Sequence, residues 1–211
     1  MLKQLVVLTA LAISSVAAAH ADPISGFFSA NGTDSFTSSS ITFGGATVAG
    51  TIGGTFASYL TDGDAINFLP GALPYQVGVN TPPLATFPSG IVPIFSVTGN
   101  GATFTFEMTQ YNAGFIADNP AASSGCNEGS TCLNVTGIGS FTGTGAFDGT
   151  SGPATFTFSS QYVPGQPTET ITTFSASTSA VAPAVPEPAS LALFGTGLLG
   201  VVGMARRKFN V

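Results

Sequence analysis

Two segments of this chain alternate apolar and polar residues, and this alternation constrains the fold more than any other feature. In Ala102–Gln110 and in Ala154–Tyr162 apolar residues, half of them phenylalanine, occupy all but one of the alternate positions, and the residues between are mostly threonine or serine. Successive side chains of a β-strand point to opposite faces, so each segment predicts a strand with an apolar inner face and a hydroxyl-bearing outer face. Both segments open with Ala-Thr-Phe-Thr-Phe, a weak internal repeat.

The rest of the chain predicts more strands of the same kind. Asn100-Gly101 separates Ile94–Val97 from the first alternating segment, and Asn-Gly in this setting indicates a β-hairpin. Other predicted strands are Ser35–Phe43, Thr47–Tyr59, Ala65–Leu69, Tyr75–Val79, Leu133–Val135, Gly139–Phe147 and Glu169–Ser175. Only 7% of the residues are charged, which disfavours long surface helices. We therefore expect an all-β domain over residues 22–179, an antiparallel β-sandwich whose two sheets pack their Phe faces together.

Residues 1–21 have the features of a secretory signal peptide. Lys3 supplies the positive charge, residues 5–16 are mostly apolar, and Ala19 and Ala21 fill the small-residue positions of a cleavage site. Asp22 is then the first residue of the mature protein, and signal peptidase is a processing partner. An exported chain is expected from this segment.

The C-terminal residues have three parts in order. Residues 180–185 form a linker, Pro186-Glu187-Pro188 follows, residues 191–205 are mostly apolar, and Arg206-Arg207-Lys208 closes the tail. A helix over the apolar part is just long enough to cross a thin bilayer. The basic cluster after it holds the C-terminus in the cytoplasm. Residues 186–211 therefore predict a sorting and anchor segment with a single transmembrane helix.

This tail resembles the PEP-CTERM sorting signal of Gram-negative bacteria, which is also known as the ice-binding protein C-terminal domain. The resemblance implies that exosortase, a membrane-embedded cysteine protease/transpeptidase, recognises Pro186-Glu187-Pro188. It implies a protein held for a time in the inner membrane and then placed at the cell surface or outside the cell. Proteins with such tails accompany exopolysaccharide production. The resemblance covers only about residues 185–211 and says nothing of the domain before it.

The placement of charge excludes several kinds of chemistry in the mature domain. No Lys, Arg or His lies between Asp22 and Val185, whereas nine carboxylates do. Ser-His-Asp, Cys-His and lysine-based catalysis therefore lack their residues. An acidic domain without a cation is not expected to bind nucleic acid. We expect no cofactor and no enzymatic activity.

Two further motifs have a structural and a chemical interpretation. Cys126 and Cys132 are the only cysteines, and in an exported chain they predict a disulfide across a Gly/Ser-containing loop. Asp62-Gly63-Asp64 predicts a turn, and the alternative is a weak candidate for a Ca²⁺ site. No other metal site is expected.

The expected function is that of a structural or adhesive component of the cell envelope or of an exopolysaccharide-rich biofilm matrix. A carbohydrate-binding module is the first alternative, and it predicts that Tyr59, Tyr75, Tyr111 or Tyr162 meet in one groove. A carboxylate-based glycoside hydrolase is the second and predicts two carboxyl groups about 5–9.5 Å apart in a cleft. An ice-binding face is the third and would use the Thr-Phe-Thr pieces.

Overall fold

The computed structural model describes residues 22–69, 71–75, 85–86, 92–117, 119–121, 126–162, 172–183 and 197. These residues form β-strands and one short 3₁₀ helix, η1 (Thr55–Ser58). The strands are β1 (Gly26–Phe36), β2 (Ser40–Gly54), β3 (Ala65–Phe68), β4 (Leu73–Pro74), β5 (Ala85–Thr86), β6 (Val92–Gly99), β7 (Ala102–Ile116), β8 (Thr131–Gly145), β9 (Gly149–Thr150), β10 (Ala154–Tyr162) and β11 (Thr172–Ala180).

Eight of these strands form one closed antiparallel barrel. In the order β1, β2, β3, β6, β7, β8, β10 and β11, each strand pairs with the next. The last strand, β11, then pairs with β1 and closes the ring. The all-β, antiparallel expectation is confirmed, but the two-sheet sandwich is corrected to a single barrel. Alternating strands satisfy both architectures, and only the β1–β11 and β7–β8 pairings distinguish them.

Of the local predictions, the hairpin is confirmed and one strand needs correction. The predicted hairpin joins β6 to β7, and Asn100 and Gly101 both have the positive φ angles, 45° and 80°, that such a two-residue turn requires. The predicted strand Ser35–Phe43 is wrong, because the chain turns between Phe36 and Ser40. The Thr37 hydroxyl accepts hydrogen bonds from the backbone N–H groups of Ser39 and Ser40 and stabilises that turn.

Phenylalanine side chains fill the barrel. Phe56, on η1, is fully buried, and its ring centroid lies 5.0–5.1 Å from those of Phe28, Phe104 and Phe141 in edge-to-face contacts. Such contacts are the favourable geometry for aromatic pairs. An eight-stranded barrel is just wide enough for side chains to fill its interior. The apolar faces predicted for the alternating strands therefore meet inside one ring.

The barrel has two distinct ends, because its neighbouring strands run up and down. Both ends of the described barrel chain lie at one end, which we call the termini end: Gly26 pairs with Ala180, and Ile24 bridges to Ser151. An even number of alternating strands places the two chain ends together in this way. The opposite end, which we call the disulfide end, carries the turn at 37–39 and the loop between Cys126 and Cys132.

The predicted signal peptide and nearly all of the predicted membrane span, residues 191–205, lie outside the described residues. Among the residues that are described, no helix is both long and apolar enough to cross a membrane.

Candidate functional site

A shallow groove of about 340 Å³ runs over the outer wall of the barrel. It crosses β1, β11, β10 and β8, and its polar lining consists of Ser29, Asn134, Thr136, Thr157, Ser159 and Ser177. Strand register explains the arrangement, because Ser29 pairs with Ser177, which pairs with Thr157, which pairs with Thr136. No residue that lines the groove is charged. Its volume falls within the usual range of ligand sites, roughly 300–1,000 Å³.

Hydroxyl pairs between β10 and β11 order this surface. The Thr157 and Ser177 hydroxyl oxygens are 2.7 Å apart, and those of Thr155 and Ser179 are 3.0 Å apart. Each pair shares one proton donor and leaves further lone pairs and a hydroxyl hydrogen for a ligand. Beside them on β1, Phe27 points outward with 48% of its surface exposed.

The interior offers no comparable site among the described residues. A cavity of about 20 Å³ lies within the barrel towards the disulfide end, and its lining is apolar apart from Tyr75 and Tyr111. Both tyrosines are only 6% exposed. A cavity of this size holds no more than about one water molecule. This cavity is therefore too small to hold a sugar or any larger ligand.

The four tyrosines do not form the open groove that a tyrosine-based carbohydrate site would need. Tyr75 and Tyr111 are buried, Tyr162 packs against Phe36 at the disulfide end, and Tyr59 packs against aromatic rings at the termini end. The Tyr75 hydroxyl donates a hydrogen bond to the Thr37 carbonyl oxygen. Burial, and secondly the nearby Tyr162, raise the pKa of Tyr75 above its usual range.

The two carboxylates of the Asp62-Gly63-Asp64 segment hold a turn. Asp62 accepts a hydrogen bond from the Gly50 backbone N–H at 3.0 Å. Asp64 accepts one from the Thr61 backbone N–H at 2.8 Å and one from the Thr61 hydroxyl at 3.1 Å. In the described part of the chain, no group of three or more His, Cys, Asp or Glu side chains is placed to hold a metal ion.

No carboxylate lines the groove or the cavity described above. Asp34 is buried inside the barrel, where it accepts a hydrogen bond from the Ser160 hydroxyl at 2.9 Å. Such a buried carboxyl group has no access to a polysaccharide. A pair of carboxyl groups in an open cleft, as a glycoside hydrolase requires, is not found in either place.

The predicted disulfide is present. Cys126 and Cys132 are bonded, and both are buried at the disulfide end. Cys132 lies in β8, where it pairs with Ile116 of β7 and with Gln161 of β10. The Asn119 side-chain amide also donates to the Cys126 carbonyl oxygen at 3.0 Å. The bond therefore joins the loop directly to the barrel wall.

Both ends of the barrel chain are secured at the termini end. Ile24 is fully buried, and its N–H donates to the Thr150 carbonyl oxygen at 3.1 Å. On the C-terminal side, Val181 exchanges backbone hydrogen bonds with the 152–153 turn, at 2.7 and 3.2 Å. The backbone hydrogen bonds of the barrel thus extend from Ile24 to Val181, and the first residue of the predicted linker, Ala180, belongs to β11.

The residues that follow decide what kind of chain this is. The family described as the PEP-CTERM protein-sorting motif matches residues 184–208. The chain contains a PEP-CTERM sorting motif. Its PEP-CTERM motif contains Pro186-Glu187-Pro188 and Arg206-Arg207-Lys208, which lie outside the described residues, as do Ala19 and Ala21. The motif implies exosortase processing and export through the membrane to the cell surface.

The comparisons extend no further than this PEP-CTERM motif. No curated protein and no solved structure matches the chain. The function of the barrel before the motif must therefore be inferred from the residues of the barrel itself.

Sequence reasoning identified the hydroxyl faces but missed the groove. Ser29 and Ser177 lie in different strands, and no local spacing relates them, so the sequence alone does not predict that they share a site. The exposed Phe27 also lies in a strand, β1, that was predicted only at its end. The exposure of Phe27 on the outer wall follows from the register of β1 against β11, which the local sequence does not determine.

Proposed function

We propose that this PEP-CTERM protein is an exported, exosortase-processed component of the cell envelope or extracellular matrix, with a structural or adhesive role and no enzymatic activity. One observation carries the proposal. The sorting motif begins directly after Pro183, and both ends of the barrel chain lie at the termini end. The outer wall and the disulfide end then face away from the point of attachment.

The chain that joins the barrel to the sorting motif is short, and it leaves the barrel at the termini end. Only Ala184 and Val185 separate Pro183 from Pro186, and an extended chain spans at most about 3.6 Å for each of the three residue steps. Exosortase therefore acts within roughly 11 Å of the folded barrel. The predicted span begins at Leu191, eight residue steps and at most roughly 29 Å beyond Pro183, so the termini end is the part of the barrel held closest to the membrane while the tail is anchored there.

The non-enzymatic role is supported by what the described surface offers. Asp62 and Asp64 stabilise a turn, and Asp34 is buried. The groove presents hydroxyl and amide groups, which form hydrogen bonds but supply neither a strong nucleophile nor an acid. These groups are suited to holding a ligand.

Single-lysine labelling tests the orientation. Because no lysine lies between Asp22 and Val185, Glu128→Lys at the disulfide end and Asp148→Lys at the termini end each add one amine at an exposed site. Both variants change the charge equally, so each is the control for the other. They are made in a chain in which Pro186, Glu187 and Pro188 are replaced by Ala, which we expect to remain anchored and uncut.

Intact cells are treated with a membrane-impermeant amine reagent, and the labelled peptides are quantified by mass spectrometry. We expect Glu128→Lys to be labelled as completely as in purified protein, and Asp148→Lys to be labelled severalfold less on cells than after purification. Equal labelling of the two sites on cells would contradict the proposed orientation.

The sorting step has its own test. Replacing Arg206, Arg207 and Lys208 with neutral residues removes the charges that hold the C-terminus in the cytoplasm, so retention and processing should both fall. The Pro186-Glu187-Pro188 replacement should block processing alone. Cell fractionation and the mass of the tail-containing species distinguish the two results. Wild-type processing of both variants would contradict exosortase sorting.

The adhesive role is tested by deleting the gene and restoring it with or without residues 184–211. Retained surface protein should restore cell aggregation and biofilm mass, and the chain without its sorting segment should not. Equal restoration by both chains would contradict a role that depends on surface attachment.

A further inference from the structure

We propose that the groove on the outer wall binds a chain of a neutral polysaccharide. This inference rests on the proposed function, because the groove meets such a chain only when the barrel is displayed outside the cell. The site consists of the six polar residues that line the groove, with Phe27 beside them.

The chemistry of the lining favours a sugar. Five of the six polar residues carry hydroxyl groups, and Asn134 carries an amide, so each side chain both donates and accepts hydrogen bonds. Sugar hydroxyl groups also donate and accept hydrogen bonds, so a polysaccharide chain can bind such a surface at many positions along its length. The pairing of Thr157 with Ser177, at 2.7 Å, restricts both hydroxyl groups before a ligand arrives. Less side-chain entropy is then lost on binding.

The charge of the domain selects against acidic polymers. The groove has no cation to pair with carboxylate or sulfate groups, and residues 22–185 contain no Lys, Arg or His. The nine carboxylates of this region give it a negative field that repels polyanions. A neutral glycan avoids both penalties.

Phe27 supplies the apolar contact that a sugar ring needs. It is the exposed aromatic residue nearest in register to the groove, two positions from Ser29 on the same face of β1. Two positions along a strand correspond to about 7 Å, the scale of one sugar unit. Its ring lies over Gly53, which has no side chain to cover it from the β2 side. When one sugar unit stacks on Phe27, the next unit of the polysaccharide chain can therefore reach Ser29 and Ser177.

The curvature of the wall favours a single chain over a flat lattice such as ice. Adjacent strands of an eight-stranded barrel are rotated by roughly 45° around its axis, so a flat array spans only two or three strands. The groove crosses four strands, so its floor is not flat. A narrow, flexible polymer follows such a surface, whereas a crystal plane does not.

The internal repeat provides a matched control for the test. Thr157 lines the groove, and Thr155 lies beside it on the same face of β10. On β7, Thr103 and Thr105 occupy the same positions of the same five-residue sequence. Thr103 is paired with Thr98 at 2.8 Å, much as Thr155 is paired with Ser179. The double variant Thr155→Val/Thr157→Val and its control Thr103→Val/Thr105→Val therefore remove equivalent hydroxyl groups from two different parts of the wall.

The experiment uses the processed protein purified from the producing cells. Its binding to soluble β-1,3-glucan, β-1,4-glucan, α-mannan and galactan, with polygalacturonate as the acidic comparison, is measured by affinity electrophoresis and calorimetry. We expect binding to at least one neutral polymer and none to polygalacturonate. The groove variant should bind about tenfold more weakly, the control as wild type, and Phe27→Ala severalfold more weakly. Circular dichroism and thermal unfolding confirm that each variant is folded.

Several outcomes would overturn the inference. They are the absence of neutral-polymer binding, preferential binding of polygalacturonate, and equal losses in the groove and control variants. A further contradicting outcome is self-association, which sedimentation of the protein without glycan would detect. If the wild type and the control variant form a dimer and the groove variant does not, the groove is a self-association surface. Each of these leaves the labelling test of surface orientation unaffected, so failure of the glycan site is distinguishable from failure of the proposed function.

Discussion

Gly139 of β8 lies directly against the Glu107 carbonyl of β7. A Cβ atom placed on Gly139 would be 2.0 Å from that oxygen, much closer than any real contact. The register of β7 against β8 shifts at the same place, between Met108 and Gln110. A glycine is therefore required where the longest strand pair of the barrel bends.

Replacing Gly139 with Ala should destabilise the barrel by about 2–3 kcal/mol, because the obstructing atom is backbone and cannot move aside alone. Gly45→Ala is the control, since a Cβ there meets nothing within 4 Å. It should leave the free energy of unfolding unchanged or slightly raise it. Urea denaturation followed by fluorescence measures both. A loss at Gly45 as large as that at Gly139 would show that the close approach is not the cause.

Thr178 should be a site where removing a hydroxyl stabilises the protein. Its side chain is buried on the inner face of β11, in register with Phe28 and Phe156, and its oxygen has no hydrogen-bond partner among the described residues. Thr178→Val removes this buried polar atom and keeps the shape, so the free energy of unfolding should rise by about 1 kcal/mol. Thr157→Val, an exposed control, should change it by less than about 0.5 kcal/mol. Destabilisation by Thr178→Val would mean that the hydroxyl is hydrogen-bonded.

Tyr75 should make the barrel sensitive to alkaline pH. Its pKa in the folded protein is raised above the usual value of 10.0, so the unfolded chain releases this proton first as the pH rises. Protonated Tyr75 contributes its full stabilisation of the folded state below about pH 10, and this stabilisation is lost progressively as the pH rises further. Tyr75→Phe removes the hydrogen bond to Thr37, so at pH 8 it should lower the free energy of unfolding by about 1 kcal/mol. The difference in free energy of unfolding between wild type and variant should be smaller at pH 11. Thermal unfolding at several pH values measures this, and a constant difference would contradict it.

The disulfide should contribute modestly to stability. Protein taken from the cell surface should give no thiol labelling without reductant, and the Cys126→Ser/Cys132→Ser variant should lose about 2 kcal/mol, as expected for so short a loop. The loss should be accompanied by faster amide exchange around Cys132 and Ile116, which pair across β7 and β8. Exchange that is faster only at the termini end would contradict this placement.

Much of the strand content was predictable, because alternation is a local property. The segment Ala154–Tyr162 coincides with β10, and the Asn100-Gly101 hairpin has the expected geometry. β1 was mostly missed, since Asn31, Gly32 and Asp34 interrupt its pattern. Asp34 points inward and is buried, which is the opposite of what a carboxylate predicts for a strand position.

Closure of the barrel was not predictable from local pattern. It depends on the pairing of Gly26 with Ala180 and of Phe104 with Gly143, positions far apart in the chain. The groove depends on the same long-range register. The sorting motif was predictable because its residues are contiguous and are read by another protein, so their meaning does not depend on the fold of this one.

The pairing of the first barrel strand with the last has a consequence for secretion. While the chain is still crossing the membrane, β1 lacks one of its two neighbours, and an unpaired strand edge promotes aggregation. Only when β11 has emerged can the ring shut, and the sorting motif follows β11 immediately. A chain that stops before β11 during synthesis therefore lacks both its final strand and its sorting motif. Placing the motif after the closing strand means that exosortase receives only chains that already contain every strand the barrel needs.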